Sequence, residues 1–262
     1  MRAIQGVGLA GQAREVHEEL IESGYAVFRS PVDPRQDLAG AKRAVEVIVE
    51  ARARPIAVFR RHGLWREIGV RPERDPLRSE GVGRSPLHLD FVNAADPPDL
   101  LCLLCVRSDP RGGGHTSLAP TDVVDRLPAR TRRQLARPVY SDGVVVELDH
   151  IGHDVNPFAV FTPGDRWRVR YTDNLRHADS IDDDARRAVE ELSVALHDHL
   201  KTIPLRSGDV ILVDQHRYLH GKTPLGAGQA DLPEDRRRLL LQMFGRARAE
   251  DQSPDGRTEA HA

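Results

Sequence analysis

The chain reads as mainly β with flanking helices, on three observations. Short apolar runs, among them residues 99–106, 210–213 and 239–244, are bounded by Gly, Pro and Asp in the manner of strands. Three longer segments repeat their apolar residues at helical spacing. At 262 residues, 39% hydrophobic and 30% charged, the chain has the length and balance of a water-soluble globular protein able to bury a proper core.

Residues 13–23 place Val16, Leu20 and Ile21 on one helical face, Gly24 is a stop, and a strand follows over 25–28. A second helix is predicted over 37–53, ending before Pro55. Residues 71–84 are charged, glycine-containing and aperiodic, which predicts a loop and suggests a mobile lid. The run 99–106 predicts a buried strand, and Asp109-Pro110-Arg111-Gly112-Gly113-Gly114 the turn that ends it. Short strands are predicted over 143–148, 159–162 and 166–172, and a helix over 182–200 with Val189, Leu192, Leu196 and Leu200 on its apolar stripe. Ser207-Gly208-Asp209 reads as a turn into a strand over 210–213, and 239–244 as the last strand. No internal repeat is visible. Residues 248–262 are polar and read as a disordered tail, leaving one domain over 1–247.

Composition removes several function classes. Lys plus Arg total 38 against 40 Asp plus Glu, a net charge of -2 with no general attraction for nucleic acid. No stretch approaches the ~20 apolar residues of a membrane span. Two cysteines are too few for a disulfide framework, so a cytoplasmic location is expected. The only lysines are Lys42, Lys201 and Lys222, which leaves little room for Schiff-base chemistry. Cys102 and Cys105 have redox spacing, but strand alternation sends their thiols to opposite faces. Gly112-Gly113-Gly114 lacks the Lys-Ser or Lys-Thr of a phosphate loop, and no His-Glu-x-x-His supports zinc peptidase chemistry.

The chemistry-bearing residues lie in two stretches. In Ser85-Pro86-Leu87-His88-Leu89-Asp90-Phe91, strand alternation puts His88 and Asp90 on one face. Such a tripeptide is common by chance, and His177-Ala178-Asp179 is a second copy, assigned to a helix entrance. Far downstream, a strand delivers His220 to a turn; His216 competes with it, while Gly221 favours His220 by allowing close backbone approach. Two imidazoles and one carboxylate form the facial set of non-haem Fe(II) oxygenases, which leaves positions open for a 2-oxoacid and dioxygen. The distal carboxylate of 2-oxoglutarate then needs a cation, and Arg236-Arg237-Arg238 stands just ahead of the last strand.

Residues 86–119 and 208–244 resemble the TauD/TfdA group of Fe(II)/2-oxoglutarate dioxygenases, and within it the clavaminate synthase-like amino-acid hydroxylases. The shared features are His88 and Asp90, the apolar strand ending in Arg107, the turn Gly112 to Gly114 followed by Thr116, and Gly208-Asp209 leading to Asp214-Gln215 and His220-Gly221-Lys222. Gln215 and Lys222 are mild departures. The group's second arginine, four residues beyond the first, is Gln242 when Arg238 is taken as the first.

The resemblance implies a distorted double-stranded β-helix, the jelly-roll barrel of the cupin type. It implies that His88, Asp90 and His220 hold iron, that Thr116 hydrogen-bonds 2-oxoglutarate, and that Arg238, with Arg236 as rival, pairs with the distal carboxylate. With Asp90 present, hydroxylation is expected rather than halogenation. Arg170-Tyr171-Thr172-Asp173-Asn174 is similar to the group's substrate-facing segment, which nominates Arg170 and Asp173 for a small-molecule substrate, an amino acid or biosynthetic intermediate. Two other readings stay open: a zinc hydrolase using the same three ligands, and a non-catalytic barrel that binds a small molecule. Oligomeric state is not legible.

Overall fold

The computed structural model describes residues 8–59, 62–142, 150–178 and 181–248. The strand expected over 143–148 and nearly all of the expected tail lie outside these residues. Helix α1 (Leu9–Ser23) ends at Gly24, whose φ of 77° turns the chain while its N–H reaches Leu20 O. Strand β1 (Tyr25–Arg29) follows, then α2 (Leu38–Glu50), capped by the Asp37 carboxylate on Gly40 N, a cap worth about 1 kcal/mol. The sequence predicts that α2 runs to residue 53. It stops earlier because Ala53–Ile56 is taken into strand β2 at a sheet edge, where Pro55's missing N–H is tolerated.

Among the described residues, a six-stranded antiparallel sheet has β1, β8 (Asp209–Asp214), β5 (Leu100–Arg107), β10 (Leu239–Ala247) and β2 in that order, with β3 (Arg66–Gly69) pairing the other half of β10. Both faces are covered, which explains why β5 and β8 read as nearly continuous apolar runs. Leu100, Cys102, Leu104 and Val106 pack beneath α1 and α2 with Val16, Leu20, Val45 and Ile48. Leu101, Leu103 and Cys105 face the other way, against Ile211, Leu240 and Phe244. The two thiols therefore lie on opposite faces, both buried and free. Burial pushes the Cys105 thiol up to about 12, so it stays protonated.

A second, four-stranded sheet runs β4 (Ser85–His88), β9 (Tyr218–Lys222), β6 (Thr116–Pro120) and β7 (Lys201–Ile203). Its outer cover is α4 (Asp183–Asp198), capped by the Asp182 carboxylate on Ala185 N, with α3 (Ala129–Leu135) beside it. Val189, Leu192 and Leu196 of α4 join Leu89, Ala119 and Leu219 in one cluster. Residues 159–162 and 166–172 form no strands. They make only single bridges, Phe161 to Val169 across the turn at Gly164 and Thr172 to His88, because beyond the first bridge the backbone pairs elsewhere, Tyr171 O with Leu89 N. Among the described residues, no helix is long and apolar enough to cross a membrane.

Candidate metal centre and its cavity

Strands β4 and β9 bring the two histidines together. His88 and His220 are cross-strand partners, their rings 4.3 Å apart between centroids. Gly221 makes this possible, since a Cβ there would lie 2.8 Å from Ser85 O and 3.0 Å from Pro86 O. His220 sits inside its own strand, reached after a tight turn at 215–217, rather than at a strand's end as the sequence predicts. That turn carries His216 away. His216 instead stacks on Trp167 at 3.9 Å and bonds Asp99 through Nε2 at 2.7 Å.

Asp90 lies just beyond β4, in a turn whose next residue, Phe91, has φ of 56°. A non-glycine residue held there marks a local backbone constraint. Gln215, fully buried, supplies that constraint by bridging Asp90 N to Pro98 O with its amide. The Asp90 carboxylate oxygens stand 3.7 Å from His88 Nε2 and 3.3 Å from His220 Nε2. One ligating atom from each of the three residues lies within 4.8 Å of the others.

The electrostatics suit a cation. Asp90 Oδ2 is buried without a hydrogen-bond partner, a costly state that a metal ion would relieve. Burial raises its carboxyl, but the His220 and His88 imidazoles outweigh that and hold it below the usual range, ionised. Burial pushes His220 down to about 4, so it is neutral and free to ligate. For His88, burial opposes charge but Asp90 wins and raises the value. Its Nδ1 meets Pro86 O at 2.9 Å, which leaves Nε2 as the ligating atom.

The three residues open onto a cavity of about 610 Å³. On its wall stand Leu240 and Gln242 of β10 and Arg238, the residue just before that strand. Arg238 is 5% exposed, and among the described residues its guanidinium has no hydrogen-bonded partner. Burial lowers it to about 10, still a cation at neutral pH. Gly114, at φ of 60°, makes room for its stem: a Cβ there would meet Arg238 Cδ at 2.9 Å. Thr116 of β6 also lines the cavity and is buried. Arg236 is exposed in a short 3₁₀ turn and does not line it.

Arg170 and Asp173 do not reach this cavity. Arg170 spends its donors on the carbonyls of Val92, Ala94 and Ala95. Asp173 accepts from Leu87 N at 3.0 Å and Tyr171 Oη at 2.8 Å. Their neighbours Thr172 and Asn174 line the cavity instead. Sequence reasoning missed Asp142, whose buried Oδ1 lacks a partner and whose carboxyl burial raises, and Arg66 on β3. Neither stands in a motif. Lys222 also lines the cavity, and its Nζ donates to Gly81 O at 3.0 Å and to Gly83 O, tying down the charged segment 71–84, whose residues 74–75 and 77–80 line the same cavity.

Comparison with solved structures finds an asparagine oxygenase, in complex with Fe(II), 2S,3S-3-hydroxyasparagine and succinate, at TM-score 0.73 and 20% identity, covering 90% of this chain and 79% of that one. It also finds the non-haem iron oxygenase OrfP, in complex with Fe and alpha-ketoglutaric acid, at TM-score 0.66 and 18% identity, covering 90% of this chain and 79% of that one. OrfP is further similar in its complex with Fe, succinate and (3R,4R)-dihydroxy-L-Arg, at TM-score 0.66 and 17% identity, with 90% and 80% covered. These likenesses establish a shared fold. No curated protein matches the chain. The family model of the taurine catabolism dioxygenases matches residues 7–243, nearly the whole described length, and the chain belongs to that TauD, TfdA family.

Proposed function

We propose that this protein is an Fe(II)/2-oxoglutarate-dependent dioxygenase that hydroxylates a small polar substrate, an amino acid or a close derivative, with release of succinate and CO2. The observation that carries the reading is the buried, unpartnered Arg238 guanidinium in the wall of the cavity onto which His88, Asp90 and His220 open. A buried cation with no carboxylate hydrogen-bonded to it is expensive, and a ligand carboxylate is its natural complement. A zinc hydrolase would have no use for it, and a passive binding barrel no use for the three ligands.

Bound ferrous ion, held by His88, Asp90 and His220, supplies the coupling of keto-acid decarboxylation to oxygen insertion at a carbon–hydrogen bond. The chain's own groups do the rest. Arg238 fixes the distal carboxylate of 2-oxoglutarate by a bidentate pair, and Thr116 hydrogen-bonds a carboxylate oxygen. Pro86 O holds the His88 tautomer. Segment 71–84, anchored by Lys222, is a lid that excludes water from the reacting carbon.

Arg170 and Asp173 act as braces behind the site, and Thr172, Asn174 and Asp142 meet the substrate. The two sheets close as a double-stranded β-helix, residues 1–247 work as one catalytic unit, and the enzyme acts in the cytoplasm. The hydroxylated amino acids bound by the asparagine oxygenase and by OrfP support the substrate class. The test is succinate formation from 2-oxoglutarate with Fe(II) and oxygen across a panel of amino acids. Stimulation by at least one is expected. No succinate, together with no visible charge-transfer band on anaerobic addition of Fe(II) and 2-oxoglutarate, would overturn the reading.

A further inference from the structure

The cavity wall holds a second polar pair that the iron and co-substrate do not use. Gln242 on β10 and Arg66 on β3 are cross-strand partners in register, and both line the cavity. Cross-strand partners share a face, with Cβ atoms about 5 Å apart. Gln242 is 6% exposed, and its Oε1 is buried with no hydrogen-bond partner. A buried amide oxygen left unpaired loses its hydration without return, so it is built for a donor that arrives with a ligand.

Arg66 is held ready rather than consumed. Its guanidinium lies over the Phe59 ring, 4.9 Å from the centroid, which fixes its plane. Among the described residues its ion pair is to Glu80, at 4.0 Å, too long for a hydrogen bond. The pair is also distinct from the co-substrate's anchor. Arg238, just ahead of β10, and Gln242 within it are four residues apart and both line the cavity, a separation of about 13 Å at the rise of a strand. Arg66 belongs to the metal end of the cavity, since the Phe59 ring beneath its guanidinium packs against Phe91, the residue that follows Asp90, at 5.7 Å between centroids.

We propose that Arg66 and Gln242 together receive the head group of a free α-amino acid, the guanidinium taking its carboxylate and the amide oxygen its ammonium. The adjacent charges of a zwitterion match a cation and a neutral acceptor on adjacent strands. A substrate whose carboxyl is masked, as an amide or as an ester to a carrier, leaves the Arg66 donors unpaired and is rejected. This rests on the dioxygenase reading and narrows its substrate class.

The experiment measures equilibrium binding of the free L-amino acids to protein loaded with Mn(II) and 2-oxoglutarate, then of the carboxamide and the N-acetyl form of each binder. Wild type is compared with Arg66→Gln, Gln242→Leu and the exchanged pair Arg66→Gln/Gln242→Arg, each checked by thermal melting. The carboxamide is expected to bind roughly 10- to 100-fold more weakly than the free acid. Arg66→Gln should weaken the free acid by a similar factor while moving the carboxamide by no more than about twofold. Gln242→Leu should weaken the free acid but not the N-acetyl form, and the exchanged pair should recover most of the loss. Equal binding of free acids and carboxamides, equal loss of both in Arg66→Gln, or no free amino acid bound at all would overturn the proposal. A wild-type protein that gives no charge-transfer band with Fe(II) and 2-oxoglutarate fails the dioxygenase reading instead, and the two failures are told apart.

Discussion

At the scale of single residues, the account turns on which polar groups are partnered and which wait. Arg238 waits. Truncating it in Arg238→Ala should weaken 2-oxoglutarate binding by about 2–5 kcal/mol, read as a rise in the dissociation constant. Arg236→Ala, on an exposed turn, should stay within about 0.5 kcal/mol. Gln215 is fully partnered and acts through Asp90, so Gln215→Ala should lower iron affinity about 10- to 100-fold, measured by metal titration. Asp99 is a structural counterpart. It accepts from His216 Nε2 and Arg166 Nη2 at 2.7 Å each and from Ala247 N at 2.9 Å. Burial works against its charge, but these partners prevail and depress its value. Its contribution is therefore complete above the unfolded carboxylate value of about 3.9, and is lost as pH falls through the lower folded value. Denaturant melts should show Asp99→Asn about 2–3 kcal/mol less stable near neutrality, with the gap closing in acid. At this scale His88, Asp90, His220 and Arg238, which the structure brings to one cavity, were legible because each stands in a spaced motif. Arg170 and Asp173, nominated by resemblance, turn to partners outside the cavity, because residues 170–174 run from a single bridge into a 3₁₀ turn.

Elements set how those residues meet. Gly221 lets β4 and β9 approach, so Gly221→Ala should push the strands apart and separate His88 from His220. The expected result is a loss of about 1–3 kcal/mol in stability, together with iron binding weakened beyond what the melt explains. Lys222 ties the segment 71–84 through the Gly81 and Gly83 carbonyls. Lys222→Met should free it, so limited proteolysis within 71–84 should speed up in the variant and slow in wild type when metal and 2-oxoglutarate are added. Equal rates in all four samples would remove the lid. Long periodic elements were readable: α1, α2, α4 and β5 stand close to where their apolar spacing puts them. Short strands such as β3, β6 and β7 were not, because four or five residues carry too little period to separate them from loop, and β2 hid behind Pro55 until its place at a sheet edge was known.

For the whole molecule, the decisive information is register between distant segments. β10 follows directly on the cavity-lining Arg238 and, paired to β3, sets Gln242 beside Arg66 across more than half the chain. No local pattern foretells that pairing, which is why Arg66 was invisible in the sequence while the metal ligands were not. The central claim is that one ferrous ion is held by His88, Asp90 and His220 with 2-oxoglutarate spanning from it to Arg238. The most direct measurement is a crystal structure of the protein grown without oxygen in Mn(II) and 2-oxoglutarate. The account predicts one ion bound by those three side chains, with the keto acid's far carboxylate forked onto the Arg238 guanidinium. An ion bound elsewhere, or a keto acid whose far carboxylate lies away from Arg238, would contradict it.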